Sequence, residues 1–68
     1  MSKEDLALGG VYLFETRAVE LVFVVLSTAD PSAATVLHLH ERGLSRVVGD
    51  VGRVPCTDMV LERCRRIS

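Results

Sequence analysis

Aromatic residues are scarce in this chain. Of 68 residues only Tyr12, Phe14 and Phe23 are aromatic, and tryptophan is absent. A core made from this sequence must therefore be mostly Val and Leu. There is also no ladder of aromatic side chains of the kind that stacks single-stranded nucleic acid. An excess of charge is lacking too: the formal net charge is −1, which gives no electrostatic case for nucleic acid as a partner of the whole chain. The longest apolar run is the six residues Leu21 to Leu26, far short of the roughly 20 that a membrane-spanning helix needs. The segment Met1-Ser2-Lys3-Glu4-Asp5 does not lead a basic stretch into an apolar one, as a signal peptide would. These absences set the expectation of a cytoplasmic protein with no membrane partner. In that compartment Cys56 and Cys64, the chain's two cysteines, would be reduced thiols.

What the chain does have is hydrophobic content, 49% of its residues. That is ample for a globular core and argues against intrinsic disorder. A single domain over residues 1–68 is expected, buried to only about 60% of its unfolded surface and correspondingly marginal in stability. Charge is uneven along it. Residues 1–30 carry two basic and five acidic side chains, a net −3, and residues 31–68 carry six and four, a net +2. Seven of the eight basic residues are Arg, a usage that fits a GC-rich bacterial or phage genome.

The run Leu21-Val22-Phe23-Val24-Val25-Leu26 is the strongest local signal. Successive side chains of a strand point to opposite sides, so an unbroken β-branched and aromatic run reads as a strand buried on both faces. Around it, Ser2 and Asp5 form a capping box for a short helix or arm over residues 1–9. Val11–Glu15 reads as a first strand, Ala18–Thr28 as the second, and Asp30-Pro31-Ser32 as a turn. A third strand is predicted over Thr35–Glu41, with Leu37 and Leu39 on one face and Val36, His38 and His40 on the other. Leu44–Val48 reads as a fourth strand, joined to a short fifth, Val51–Val54, by a type II′ turn with Gly49 in its first central position. A single bent strand from Leu44 to Val54 is the alternative, and Pro55 stops the ladder in either case. Residues 57–67 form either a C-terminal helix, capped by Thr57, or a closing strand. The helix is favoured because Val60, Leu61, Cys64 and Ile67 would share one face.

The fold class expected is mainly β: a small antiparallel sheet or SH3-like barrel of four or five strands over 10–54, plus the C-terminal element. The predicted core is Val11, Leu13, Leu21, Phe23, Val25, Leu37, Leu39, Val47, Val54, Val60 and Leu61. Gly10-Val11-Tyr12, the long apolar strand, Val54-Pro55 and the final Leu61-Glu62-Arg63 together resemble small SH3-like β-barrels. At the level of fold they resemble the tetrameric type II dihydrofolate reductases. That resemblance implies a small barrel and an assembly of several copies. It implies no catalytic residue, because the active-site strand motif of those reductases is absent.

Three constellations could carry chemistry. His38-x-His40 puts two imidazoles on one face of a strand, and with Cys56 and Cys64 supplies the composition of a zinc site. The Cys56-x7-Cys64 spacing is not that of a zinc knuckle, so the expected reading is plain surface histidines and small apolar cysteines, with no metal and no cofactor. Cys56 with either histidine and Asp58 supplies the residue types of nucleophilic catalysis, but nothing in their spacing brings them together. Arg63, Arg65 and Arg66 form a basic end that could meet nucleic acid or an acidic partner, or could complement a helix dipole. The function these features favour is a non-enzymatic interaction module that self-associates and binds a further, unidentified protein, in the manner of a phage or mobile-element protein acting on a host factor. Its interface would be Val22, Val24 and Leu26, the second face of the apolar strand. An oligomeric small-barrel enzyme with a site between subunits, and a nucleic-acid binder using the Arg-rich end, are the alternatives.

Overall fold

A computed structural model describes residues 1–68. Five antiparallel strands make one open sheet: β1 (Val11–Glu15), β2 (Glu20–Ser27), β3 (Ala33–Arg42), β4 (Val51–Pro55) and β5 (Cys64–Arg66), in the order β4-β3-β2-β1-β5. A 3-10 turn, Lys3–Asp5, precedes the sheet, and a four-residue helix α1 (Asp58–Leu61) lies between β4 and β5. The apolar run sits at the middle of the sheet in β2, flanked on both sides by hydrogen-bonded neighbours.

The sheet folds around one face. Tyr12, Leu21, Phe23, Val25, Ala34, Val36 and Val54 line that inner face and are buried, joined by Leu6 from the N-terminal turn, Leu61 from α1 and Cys64 from β5. Tyr12 and Phe23 stack at 5.9 Å between ring centroids, with 25° between planes. The Tyr12 hydroxyl donates to the carbonyl of Asp5 (2.9 Å) and accepts from the amide of Ala7 (2.8 Å). The N-terminal segment is thereby tied to the core, with no buried side-chain N or O atom left unpaired. Asp5 accepts from the backbone N–H of Ser2 at 2.9 Å, so the reach-back half of the capping box forms. It supports a single 3-10 turn instead of a longer helix.

Several expectations are corrected. In β1 and β3 the alternation runs opposite to the predicted core. Tyr12, Val36 and His38 point inward and are buried, whereas Val11, Leu13, Leu37 and Leu39 lie on the outer face. Both parities of these strands are apolar, and the choice is made by cross-strand partners. Phe23 pairs with His38 and Tyr12, so both partners share its inward direction.

Leu44–Val48 is not a strand. It belongs to an irregular loop, and Val47 is 62% exposed. Gly43 and Gly49 hold φ of +82° and +91°, a region that interrupts a β ladder and favours glycine. The Asp50 N–H bonds the Val47 carbonyl at 3.1 Å. Gly49 is therefore the third residue of the turn, the position a type II turn reserves for glycine, and not the second as in type II′.

The C-terminal segment is helix and then strand. Thr57 caps α1 by accepting from the Val60 N–H at 3.3 Å. The helix stops after one turn, and Cys64–Arg66 pairs with β1. Leu61 and Cys64 pack into the inner core, so α1 does not lie over the outer face of β2.

Candidate functional site

Two places stand out once the sheet is assembled: its outer face, and a polar node around His38.

The outer face begins with register. Val11 pairs with Val24, Val24 with Leu37, and Leu37 with Val51. Ile67 continues past β5 and donates its N–H to the Val11 carbonyl at 2.9 Å. The result is an aliphatic row, Ile67–Val11–Val24–Leu37–Val51, that runs from the residue after β5 across β1, β2, β3 and β4 without a polar residue. A second, shorter row is Leu13 beside Val22. Two bulges add to it. The register leaves Leu39 unopposed between the Phe23–His38 and Val22–His40 pairs, and Leu26 unopposed between the Val25–Val36 and Ser27–Thr35 pairs. A bulged residue bends its strand and turns its side chain out of the alternation. Leu26 and Leu39 are 46% and 43% exposed. The three residues expected at an interface, Val22, Val24 and Leu26, thus stand together on this face, with Leu39, Leu37 and Val51 beside them.

Charge is confined to the margins of that face. At one end Glu20 accepts from His40 (3.4 Å) and pairs with Arg42 (3.5 Å). Those hydrogen bonds, His40 first and Arg42 second, hold the Glu20 carboxyl below the usual carboxylate range. At the other end Asp30 pairs with Arg53. The backbone N–H and hydroxyl of Ser32, both at 2.8 Å, and then Arg53 lower its pKa to about 2.

The Leu39 bulge also separates the two histidines. His38 faces the core and His40 faces solvent with Val22, so the expected two-imidazole clamp does not form. No group of three or more His, Cys, Asp or Glu side chains converges to hold a metal.

His38 instead organises the loop between β3 and β4. Arg46 Nη1 lies 3.0 Å from His38 Nε2 and donates to the Arg53 carbonyl at 2.8 Å. A guanidinium can only donate, so Nε2 is the acceptor. The ring proton is then on Nδ1, which faces the Val47 carbonyl at 3.4 Å. The His38 backbone pairs with Asp50 and Gly49 at 3.0 and 2.8 Å. Gly52 allows the ring this position: a Cβ there would lie 2.5 Å from His38 Cε1 and 2.7 Å from Nε2.

The remaining candidates disperse. Cys56 is half-buried, with its thiol 3.8 Å from the Val54 carbonyl, and Cys64 is buried. No hydrogen bond joins either thiol to an imidazole or to Asp58. Burial pushes the Cys64 thiol up to about 11, the opposite of what a nucleophile needs. Of the C-terminal arginines, Arg65 pairs with Leu13 on the outer side, while Arg66 lies over the Tyr12 ring at 5.9 Å and Arg63 occupies the turn before β5. Their side chains do not make one basic surface. The Arg46–His38 node escaped sequence reasoning altogether; the only local signal for it was Gly52 inside a strand, which marks a close approach.

No helix is long and apolar enough to cross a membrane. Comparison with protein-family models, with curated proteins and with solved structures finds no match to this chain.

Proposed function

We propose that this protein is a small non-enzymatic interaction module that self-associates through the outer face of its sheet. The observation that carries this reading is the aliphatic row from Ile67 to Val51, continuous from the end of β5 to β4 and covered by no element of the chain. Strands spaced about 4.8 Å apart make that face roughly 20 Å wide, an apolar patch on the order of 400–500 Å². That matches the largest patches of soluble monomers, which are commonly functional. Two copies packed face to face would bury about 800–1,000 Å² in total, the size of a weak, transient interface. An apolar centre with charged margins is also the usual anatomy of a protein interface.

The strand edges support association through the face in preference to strand addition. The β4 edge ends at Pro55, which has no N–H, and the Arg53 carbonyl on it accepts from Arg46. The β5 edge is three residues long. Short, blocked edges are how sheets avoid pairing with other chains. The strand order, with a helical turn before a last strand that pairs with β1, supports placing the module among small barrels of SH3-like type.

Sedimentation equilibrium at tens of micromolar tests the reading. The expected result is a dimer or larger assembly for the wild type, and a monomer with unchanged far-UV circular dichroism for Val24→Asp. A wild-type chain that sediments as 7.4 kDa at that concentration overturns it.

A further inference from the structure

A cavity of about 160 Å³ opens on the opposite side of the sheet from the aliphatic row. Phe14, Leu21, Val54, Pro55 and Val60 line it together with Leu44 and Arg46 from the β3–β4 loop. We propose that this cavity is a peptide-anchor site: it takes one branched aliphatic side chain of a partner protein, with a carboxylate next to that side chain held by Arg46.

Three observations carry the assignment. The volume is well below the roughly 300–1,000 Å³ of sites that enclose a whole small molecule, and it suits a single side chain. The walls are aliphatic and aromatic, so only an apolar group gains by entering them. Arg46 supplies the second contact point. Its Nη1 is fixed by two neutral acceptors, His38 Nε2 and the Arg53 carbonyl. Its Nη2 and Nε have no acceptor in the chain, and no carboxylate pairs with it: the chain's ion pairs are His40 and Arg42 with Glu20 and Arg53 with Asp30, and Glu41 accepts from the Leu44 N–H. A half-buried guanidinium that is anchored through Nη1, left with three N–H donors on Nε and Nη2 and not neutralised by any acid is set to receive a carboxylate in bidentate geometry. His38 and Gly52 are positioning residues here, acting only through Arg46.

The test is a ¹H–¹⁵N NMR titration of the full chain with N-acetyl-leucine, which carries an isobutyl side chain beside a carboxylate. N-acetyl-leucinamide removes the charge, and N-acetylglycine removes the side chain. The expected result is saturable shifts at Leu44, Arg46, Val54 and Val60 with a millimolar dissociation constant, at least five-fold weaker binding of the amide, and no saturation with the glycine analogue. Arg46→Met should abolish the preference for acid over amide. Val60→Phe, which fills the cavity without touching the node, should abolish binding of both and keeps the test sound if Arg46→Met disturbs the loop. Equal affinity for acid and amide, no saturation by tens of millimolar, or shifts confined to Val24 and Leu37 on the outer face would each overturn the assignment. Because the readout is local to the cavity, it is independent of whether the chain self-associates.

Discussion

The two faces of this sheet are almost equally aliphatic, yet they behave as different materials. The inner face holds Tyr12, Phe23 and a hydrogen-bonded imidazole, and it is closed by Leu6, Leu61 and Cys64 arriving from three separate segments. The outer face holds only Val, Leu and Ile along its central row, and nothing in the chain arrives to close it. The lesson is that hydrophobicity alone does not choose the core of a small sheet. Large rings that reach across the interior, and polar atoms that find partners there, decide which face turns inward.

Adjacent residues of β3 offer the most direct way to break that comparison. Val36 faces in and Leu37 faces out. Val36→Asp should cost on the order of 3–5 kcal/mol by burying an unpaired carboxylate, a large share of what so short a chain can carry, and urea denaturation should find it unfolded. Leu37→Asp should lower the sedimenting mass and bring the denaturation midpoint only to that of wild type diluted to the monomer. If the two variants lose stability equally, the faces are not distinct.

A smaller effect is expected at Gly52, where any side chain presses on His38. Gly52→Ala should cost about 1–3 kcal/mol, the usual penalty of overpacking. The loss should shrink in a His38→Ala background, because neighbours that clash are not additive. Equal losses in both backgrounds would place the strain elsewhere.

The two thiols sharpen the contrast without mutating the core. At pH 8 Cys56 should react with a disulfide reagent at once and Cys64 only on unfolding. With its folded pKa raised to about 11 from an ordinary 9.0, Cys64 contributes stability that is complete below pH 9. As pH rises from 9 through about 11 that contribution is lost, since the unfolded chain ionises first. Cys64→Ala should flatten this part of the alkaline unfolding curve relative to wild type.

The smallest effect belongs to the rim. Asp30 has its folded pKa lowered to about 2 from 3.8, so its contribution is present above pH 4 and is lost as pH falls through about 2. Asp30→Asn should reduce the acid dependence of the melting temperature over that window, and an unchanged acid limb would rule out the carboxylate's bonds to Ser32 and Arg53 as contributors.

Much of the framework was legible because local chemistry agreed with the fold. The unbroken run in β2 required two faces. Val11–Glu15 lies between Gly10 and a polar tip, Asp30-Pro31-Ser32 holds its own turn, and Thr57 caps the helix it was assigned to. The parity of β3 was not legible. Val36/His38 and Leu37/Leu39 are alternatives of similar apolarity, and a histidine reads as polar until its partner Arg46 is known. That partner lies across an irregular loop whose Val47-Val48 imitates a strand, while the glycines that break the ladder look like ordinary turn residues. The bulge at Leu39 was equally hidden. Nothing local shows that one residue of β3 goes unopposed, yet that residue puts His38 and His40 on opposite sides. The end of the chain was only half legible: helical periodicity favoured one helix over 57–67 with a closing strand as the alternative, and the structure uses both in turn. A single turn followed by β5 sends Leu61 and Cys64 inward.

Tyr12 has a practical consequence of another sort. With one tyrosine and no tryptophan in the chain, emission excited at wavelengths that phenylalanine does not absorb comes from one ring, whose hydroxyl is shared between Asp5 and Ala7. The molecule therefore carries a single optical gauge, placed where the sheet core and the first seven residues meet. A stopped-flow emission trace set beside far-UV circular dichroism would show whether that ring settles with the sheet or after it.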